Sequence, residues 1–434
     1  MRMDARHTPV WRCCKRRLAR LNMTTISATV NQDNPSRLFS KSSKAISPGR
    51  SVRTAGSMEI KAPKKGEGVP KETPARNNIV ALASALSQHF PGASWQCLQA
   101  ELEKNNFFAA GMLEQVRLMA QAAVELSGAS RNGAALITAL SQSAVEKIRG
   151  VAAFVPALLY PDDVPRQLEW LAYTGVLEGT WPRELSATAL HNLIIRHGVA
   201  AVLPLVQSWI EHENPARRRL VTEAFRPRGV MLAHLNELKE DPLPLKKILE
   251  PLLDDVSEYV QKSVANNLND ISKDNPDIAL AWTREWNTPH ATKQRHGILA
   301  RALRTLIDDG HPAALKLLGY GANPALNVAW QNNTPRRIKL NQFLPCNLEI
   351  HNAARAEAGV VVLLLLDEPG KGKARRRSTY QIWRGKLKAG ELKKISKKIH
   401  FVDKNSLPRV EGRRYLKLIV NGKTLETREM RFKR

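Results

Sequence analysis

The sequence is poor in cysteine and has no apolar run long enough to cross a membrane. The four cysteines among its 434 residues are Cys13, Cys14, Cys97 and Cys346. They are too few and too scattered for a disulfide framework, so a reducing compartment is expected. The longest apolar run, Val360–Leu366, is followed by Asp-Glu-Pro-Gly and covers about a third of a membrane span, which predicts a buried strand.

Motifs that hold metals or nucleotides are also missing from the sequence. It contains no His/Cys cluster with zinc spacing, no HExxH, no Walker-type phosphate loop and no GxSxG. We therefore expect no cofactor and no metal ion. This leaves charge and repeat pattern as the main guides to function.

Negative charge is scarce at both ends of the chain. The formal net charge is +27, with 16 basic and 5 acidic residues in 1–75 and 26 basic and 9 acidic residues in 326–434. The middle is close to neutral. Cationic flanks favour polyanions, of which nucleic acid is the commonest, while an anionic membrane or simple solubility would explain them as well.

Residues 1–76 are predicted to be a disordered basic tail, because they are rich in Ser, Thr, Pro, Lys and Arg and lack apolar periodicity. Trp11–Arg20 is basic and acid-poor, which would fit an organellar presequence in a eukaryote. We favour a dispensable extension, because Met23 or Met58 could replace Met1 as the true start.

Residues 77–325 have a helical pattern throughout. Asn214–Glu223 can be laid over Ser257–Asn266 at an offset of 43 residues, and a third copy follows near Gln294–Leu303. An offset in the low forties is typical of HEAT repeats, whose paired helices bury their apolar faces on the next pair. The pattern predicts a HEAT-like α-solenoid, and the concave surface of a solenoid can follow a nucleic-acid duplex.

Residues 326–434 change to a period of two, which predicts strands and a small immunoglobulin-like β-sandwich. Tyr415–Val420 is one such strand, and Asn421-Gly422 predicts a type I′ hairpin turn after it. Two basic segments, Gly370–Arg377 and Leu392–Lys398, are predicted to be loops, the first of them a basic hairpin. The fold class is thus mainly α, with a β domain after the solenoid.

The most informative segment is Tyr259–Pro276. Its apolar residues recur at helical spacing and predict one buried stripe, made of Val260, Val264, Leu268 and Ile271. The other faces carry Lys262, Ser263, Asn266, Asn267, Asp270, Lys273 and Asp274. Ser and Asn lower helix propensity, so their use there suggests a function for this polar face.

Three motifs in order resemble the AlkC-type DNA alkylation-repair glycosylases of the AlkC/AlkD family: Arg219–Arg228, Ser263–Pro276 and Ala302–Gly319. The likeness covers about residues 80–434, because one branch of that family ends in an immunoglobulin-like domain. It implies a HEAT-like solenoid that wraps duplex DNA. It also implies excision of cationic N3-alkylated bases, of the 3-methylcytosine and 3-methyladenine type, by N-glycosidic hydrolysis without base flipping.

The resemblance implies that Asp270 is the catalytic residue, whereas the residues alone would suggest an exposed acid paired with Lys273. Two family positions differ here. Val199 stands where the family has a Glu, and Met231 stands where it has a Trp. The tryptophans that could substitute from elsewhere are Trp170, Trp181 and Trp286, although large apolar residues on helices are more often core.

Basic and amide side chains near this segment are predicted to contact DNA: Arg217, Arg218, Arg219, Arg226, Arg228, Lys262, Asn266, Asn267 and Lys273. Arginine donors suit phosphate, although Arg219 could instead pair with Glu223. The expected partner is duplex DNA carrying alkylated bases, with no membrane and a monomeric chain. The expected location is cytoplasmic and DNA-associated in a bacterium, or organellar or nuclear in a eukaryote. The alternatives are a DNA-binding relative with weakened or lost catalysis and a HEAT-repeat protein-interaction scaffold.

Overall fold

The computed structural model describes residues 72–434 except 129–131, 230–231, 324, 332–333, 371–373 and 404–407. Most of the predicted basic tail, including Met23 and Met58, therefore lies outside the described residues, and so does Met231. The first helix begins at Glu72, so the last five residues of the predicted tail are helical.

Every regular element in the described residues before position 326 is a helix, as the sequence pattern predicts. The α-helices are α1 Glu72–Leu86, α2 Trp95–Lys104, α3 Met112–Ser127, α4 Gly133–Ser141, α5 Glu146–Val151, α6 Val155–Leu159, α7 Val164–Thr174, α8 Thr180–His197, α9 Val199–Val206, α10 Pro215–Ala224, α11 Asn236–Glu240, α12 Lys246–Leu249, α13 Glu258–Asp274, α14 Pro276–Trp286, α15 Lys293–Ala302, α16 Arg304–Asp308 and α17 Pro312–Leu317. Short 3₁₀ helices occupy Phe107–Ala109, Ala152–Phe154, Gln207–Glu211, Leu243–Leu245 and Glu250–Leu252. None of the described helices is long and apolar enough to span a membrane.

The chain divides into two compact units, of which the first ends at Phe225. The core of the first unit is built around α8, which packs against α5, α7, α9 and α10. The residue that follows this helix is Gly198, whose φ of 88° lies in a region that favours glycine. Near its centre the buried His191 donates from Nδ1 to the carbonyl oxygen of Ala224 at 2.7 Å, which ties α8 to the end of α10.

The second unit runs from Arg226 to Arg434 and contains helices α11–α17 and two β-sheets. The strands are β1 Leu326–Trp330, β2 Arg337–Lys339, β3 Phe343–Asn352, β4 Ala358–Pro369, β5 Arg375–Leu387, β6 Leu392–His400, β7 Gly412–Val420 and β8 Lys423–Lys433. One sheet has the order β1-β3-β6 and the other β2-β8-β7-β4-β5. All pairs are antiparallel except β2 with β8. Apolar side chains from both sheets form one shared core.

Strand β4 is buried on both faces, which confirms the buried strand predicted from the run at Val360–Leu366. Val360 and Val362 point into the core between the sheets. Val361 and Leu363 pack instead against α14, α16 and α17, in a cluster that includes Leu306. A strand covered on both sides needs no polar alternation, which explains its continuous apolar sequence.

The predicted turn at Asn421-Gly422 is confirmed. Strands β7 and β8 pair on either side of it, and φ is 46° at Asn421 and 81° at Gly422, as a type I′ turn requires. The Gly370–Arg377 segment joins β4 to β5 as a hairpin, although residues 371–373 lie outside the described part of the chain.

The prediction of a loop at Leu392–Lys398 was wrong, because these residues belong to strand β6. Its inward-facing apolar residues, Ile395 and Ile399, are four positions apart, so the sequence does not show a period of two. The strand is held by pairing with β3 alone and forms the edge of the three-stranded sheet. Lysines along an exposed edge strand also discourage pairing with other chains.

Candidate active site

Helix α13 carries the candidate site and is packed on more sides than its sequence suggests. The predicted stripe of Val260, Val264, Leu268 and Ile271 is buried. Ser263, Asn267 and Asp270, which were expected on the other faces, are buried as well. The reason is that α11, α14, α15 and α16 all pack against this one helix. The polar residues of α13 are therefore interior groups that need partners.

The carboxylate of Asp270 has two cationic partners. Arg226 donates to Oδ2 from Nε at 2.8 Å and from Nη2 at 2.7 Å. Lys273, one helical turn along, places Nζ 2.9 Å from Oδ1. The Asp270 side chain is only 1% exposed, and the charged donors on its oxygens offset the cost of burying a carboxylate.

A second ion pair lies one turn further along α13. Arg228 donates to both oxygens of Asp274, from Nε at 2.6 Å and from Nη2 at 2.5 Å. Hydrogen bonding from Arg228 holds the pKa of Asp274 below its ordinary value, against the opposing effect of burial. The Arg226-Pro-Arg228 segment thus places two guanidinium groups on successive turns of α13.

Arg304 is a further cation near Asp270 that the sequence-based prediction did not name. It is half-buried at the start of α16, and burial lowers its pKa, an effect that the Asp270 carboxylate opposes. Helix α16 is fixed beside Asp270 by Asn269, whose Oδ1 accepts the backbone N–H of Thr305 at 3.2 Å and its hydroxyl at 3.0 Å. The signal was available in the sequence, since Arg304 lies inside the Ala302–Gly319 motif.

Positive charge exceeds negative charge around Asp270. Four cations interact with it or with its neighbour Asp274, namely Arg226, Arg228, Lys273 and Arg304, although Arg304 also interacts with Asp308. Of the other predicted residues on α13, Asn266 is half-buried and Lys262 is exposed, with Glu258 3.4 Å away. The surplus of cations favours binding of an anion here, while the carboxylate stays fixed at the centre.

The three remaining predicted arginines belong to the first compact unit and have local partners. Arg217 donates to the carbonyl of Ala172 at 2.7 Å and lies 5.1 Å from the Trp209 ring centroid. Arg218 donates to the carbonyls of His212 and Glu213, each at 2.8 Å.

Arg219 confirms the pairing weighed from the sequence. It lies 3.4 Å from Glu223, and it also lies 2.8 Å from Glu184. Its side chain is 13% exposed. These contacts brace α10 within the first unit, and a role of the three arginines in DNA binding stays a prediction.

The residues at and around the differing family positions are mostly core. Val199 is buried, and so are Trp170 and Trp286. The indole N–H of Trp286 donates to Glu250 at 2.8 Å. Trp181 is partly exposed, with Lys147 5.4 Å from its ring centroid. Among the described residues, no group of three or more His, Cys, Asp or Glu side chains could hold a metal ion.

Comparison with known proteins points to one class. The family model described as DNA alkylation repair enzyme matches residues 97–306, which include α13 and the Arg226–Arg228 segment. The uncharacterized protein YhaZ of Bacillus subtilis is 29% identical over 272 residues, which is 62% of this chain and 75% of YhaZ.

The fold of this chain is similar to that of a solved structure. The alkylpurine DNA glycosylase AlkC of Pseudomonas fluorescens, bound to DNA containing an abasic site analog, matches with a TM-score of 0.73. The match covers 84% of this chain and 99% of that chain at 23% identity, so the two share a fold. The family match and the shared fold support the resemblance to AlkC-like DNA alkylation repair enzymes seen in the sequence.

Proposed function

We propose that this protein is an AlkC-type DNA glycosylase that hydrolyses the N-glycosidic bond of cationic N3-alkylated bases in duplex DNA. The observation that carries this proposal is the Asp270 carboxylate, buried on the helix of the family motif and held by Arg226 and Lys273. Burying a charged group this deeply costs free energy. A carboxylate with a function would explain why the chain keeps a buried charge at this position.

The chemistry asked of Asp270 is modest. An alkylated base that carries a positive charge is already a good leaving group, so the enzyme must mainly stabilise an oxocarbenium-like sugar and position a water molecule. A carboxylate in a fixed orientation does both without reorganising during the reaction. The neighbouring cations Arg228, Lys273 and Arg304 would hold the DNA backbone beside it, with the base left unflipped.

The architecture suits this task. We propose that the helices form HEAT-like repeats that follow the duplex and that the two sheets form an immunoglobulin-like domain adding backbone contacts. Edge strand β6 presents four lysines, Lys393, Lys394, Lys397 and Lys398, and the start of β5 presents Arg375–Arg377. The protein would act as a monomer on DNA.

A second candidate function keeps DNA binding and omits catalysis. It is favoured by Val199, a buried aliphatic residue where the family that the sequence resembles has a carboxylate. It is also consistent with the partners on both oxygens of Asp270, which leave the carboxylate little freedom to act.

Base release decides between the two functions. Duplexes carrying a single 3-methylcytosine or 3-methyladenine are incubated with excess protein, and the free base is quantified by chromatography. The glycosylase proposal predicts release of the methylated base and none from the matched unmodified duplex. Tight binding of the damaged duplex without any release would replace it with the second candidate.

A further inference from the structure

The two cations that hold Asp270 differ in burial. The Arg226 side chain is 6% exposed and places two nitrogen atoms on the same oxygen, Oδ2. The Lys273 side chain is 33% exposed and makes a single contact, to Oδ1. One carboxylate oxygen is thus held from the interior of the protein, and the other is covered from the solvent side.

This difference affects how easily each contact can be exchanged. A buried guanidinium that places two nitrogen atoms on one oxygen is shielded from water and from competing anions, so it stays where it is. The Lys273 ammonium is partly exposed and is a compact charge on a flexible stem, so an incoming phosphate can reach it and replace the carboxylate as its partner. Lys273 is not paired with the neighbouring carboxylate of Asp274. Both oxygens of Asp274 accept hydrogen bonds from Arg228 instead.

We propose that Lys273 covers Oδ1 of Asp270 in the free protein and exchanges that oxygen for a backbone phosphate when DNA binds. Arg226 then keeps Oδ2 fixed, while Oδ1 is uncovered for the sugar or for water. The carboxylate would be available only in the DNA complex. What Oδ1 does afterwards rests on the proposed function, whereas the exchange itself concerns binding alone and can be measured without catalysis.

The exchange predicts a specific coupling between the two residues. Binding to a fluorescein-labelled duplex with an abasic-site analogue is measured for the wild type, Asp270→Asn, Lys273→Gln and the double variant. Asp270→Asn releases Lys273 in advance, so it should bind the duplex more tightly. In the Lys273→Gln background that gain should shrink by about fivefold. Equal gains in both backgrounds would reflect general electrostatics and would overturn the exchange.

The adjacent ion pair supplies the matched control. Asp274→Asn removes a carboxylate of the same helix that is held by Arg228. Its effect on affinity should be the same with Lys273 and with Gln at position 273, because Lys273 does not cover Asp274. A coupling as large as that of Asp270 would also overturn the proposal.

Two further measurements use only variants of Lys273, so they do not depend on whether Asp270→Asn folds. They are the salt dependence of DNA binding and the kinetics of base release. Lys273→Gln should reduce the salt slope of DNA binding by about one, and Lys273→Arg should restore it. In the base-release assay, Lys273→Gln should mainly raise the protein concentration at which the rate is half its maximum, and it should affect the saturated rate less. A collapse of the saturated rate would mean that Lys273 only positions the carboxylate. If the wild type releases no base, the proposed function fails, and the binding cycle still decides the exchange.

Discussion

At the scale of single residues, the Arg226–Asp270 pair should matter far more for stability than the neighbouring Arg228–Asp274 pair. Replacing Arg226 with Met leaves a buried carboxylate with one partner, which should cost about 3 kcal/mol in the free energy of unfolding. Arg228→Met removes a half-exposed partner and should cost less than about 1 kcal/mol. The urea-unfolding midpoints of the two variants test this prediction. Equal losses of stability would show that the deeper burial of the Arg226–Asp270 pair does not make it more important for stability.

The Arg228–Asp274 ion pair should make the stability of the protein depend on pH. Hydrogen bonding from Arg228 lowers the pKa of Asp274 in the folded state below its ordinary value of 3.8 in the unfolded chain. The stabilisation is therefore present above the unfolded pKa and is lost as pH falls through the folded pKa. From about pH 5 downward, the thermal midpoint of the wild type should fall more steeply than that of Asp274→Asn. If the thermal midpoints of the two proteins fall in parallel at acid pH, the Arg228–Asp274 pair does not contribute to the pH dependence of stability.

The family resemblance made Asp270 the candidate catalytic residue, but the sequence did not show how its carboxylate is held. Helical spacing relates residues three or four positions apart, so the contact with Lys273 could be predicted from the sequence. Arg226 is far from Asp270 along the chain, and only the packing of the segment after α10 on α13 brings them together. The burial of Asp270 was also missed, because one apolar stripe cannot show that other faces of the helix are covered.

At the scale of elements, the β7–β8 turn is expected to anchor the segment between α17 and β1 to strand β4. The side chain of Asn421 accepts the N–H of Val361 at 2.8 Å and donates to the carbonyls of Gly321 and Gly359 at 3.0 Å. Asn421→Ala should therefore cost about 2–3 kcal/mol of stability.

Asn341→Ala is the matched control for this prediction. Asn341 also has a positive φ, of 63°, but its side chain is exposed, so the replacement should cost only about 1 kcal/mol. Guanidinium unfolding monitored in the far ultraviolet measures both variants. Equal costs would assign the loss at Asn421 to its backbone conformation and not to its three hydrogen bonds.

The strands differ in how well the sequence predicts them, and the reason is the strength of the local pattern. Strand β4 and the β7–β8 hairpin are marked by a continuous apolar run and by Asn-Gly, both of which act within a few residues. Strand β6 has only two apolar side chains facing inward and is ordered by its pairing with β3. Pairing between distant segments leaves no mark in the composition of either one.

At the scale of the whole molecule, the net charge of +27 predicts how DNA binding responds to salt. If the cations near Asp270 and on the β-sheets contact phosphates, affinity should fall at least about hundredfold between 50 and 200 mM salt. Fluorescence anisotropy with a labelled duplex measures the slope. Weak binding with little salt dependence would contradict DNA recognition and would favour the protein-interaction scaffold.

The most direct test of the account is single-turnover release of 3-methylcytosine or 3-methyladenine from duplex DNA, compared between Asp270→Asn and Asp274→Asn. Both variants neutralise a carboxylate of α13 that is paired with an arginine, and because the two pairs differ in burial, circular dichroism must first show that each variant is folded. If Asp270 is the catalytic residue, Asp270→Asn lowers the rate at least about hundredfold, while Asp274→Asn lowers it less than about tenfold. Equal rates in the two variants, with the wild type active, would contradict the assignment of Asp270 as the catalytic residue.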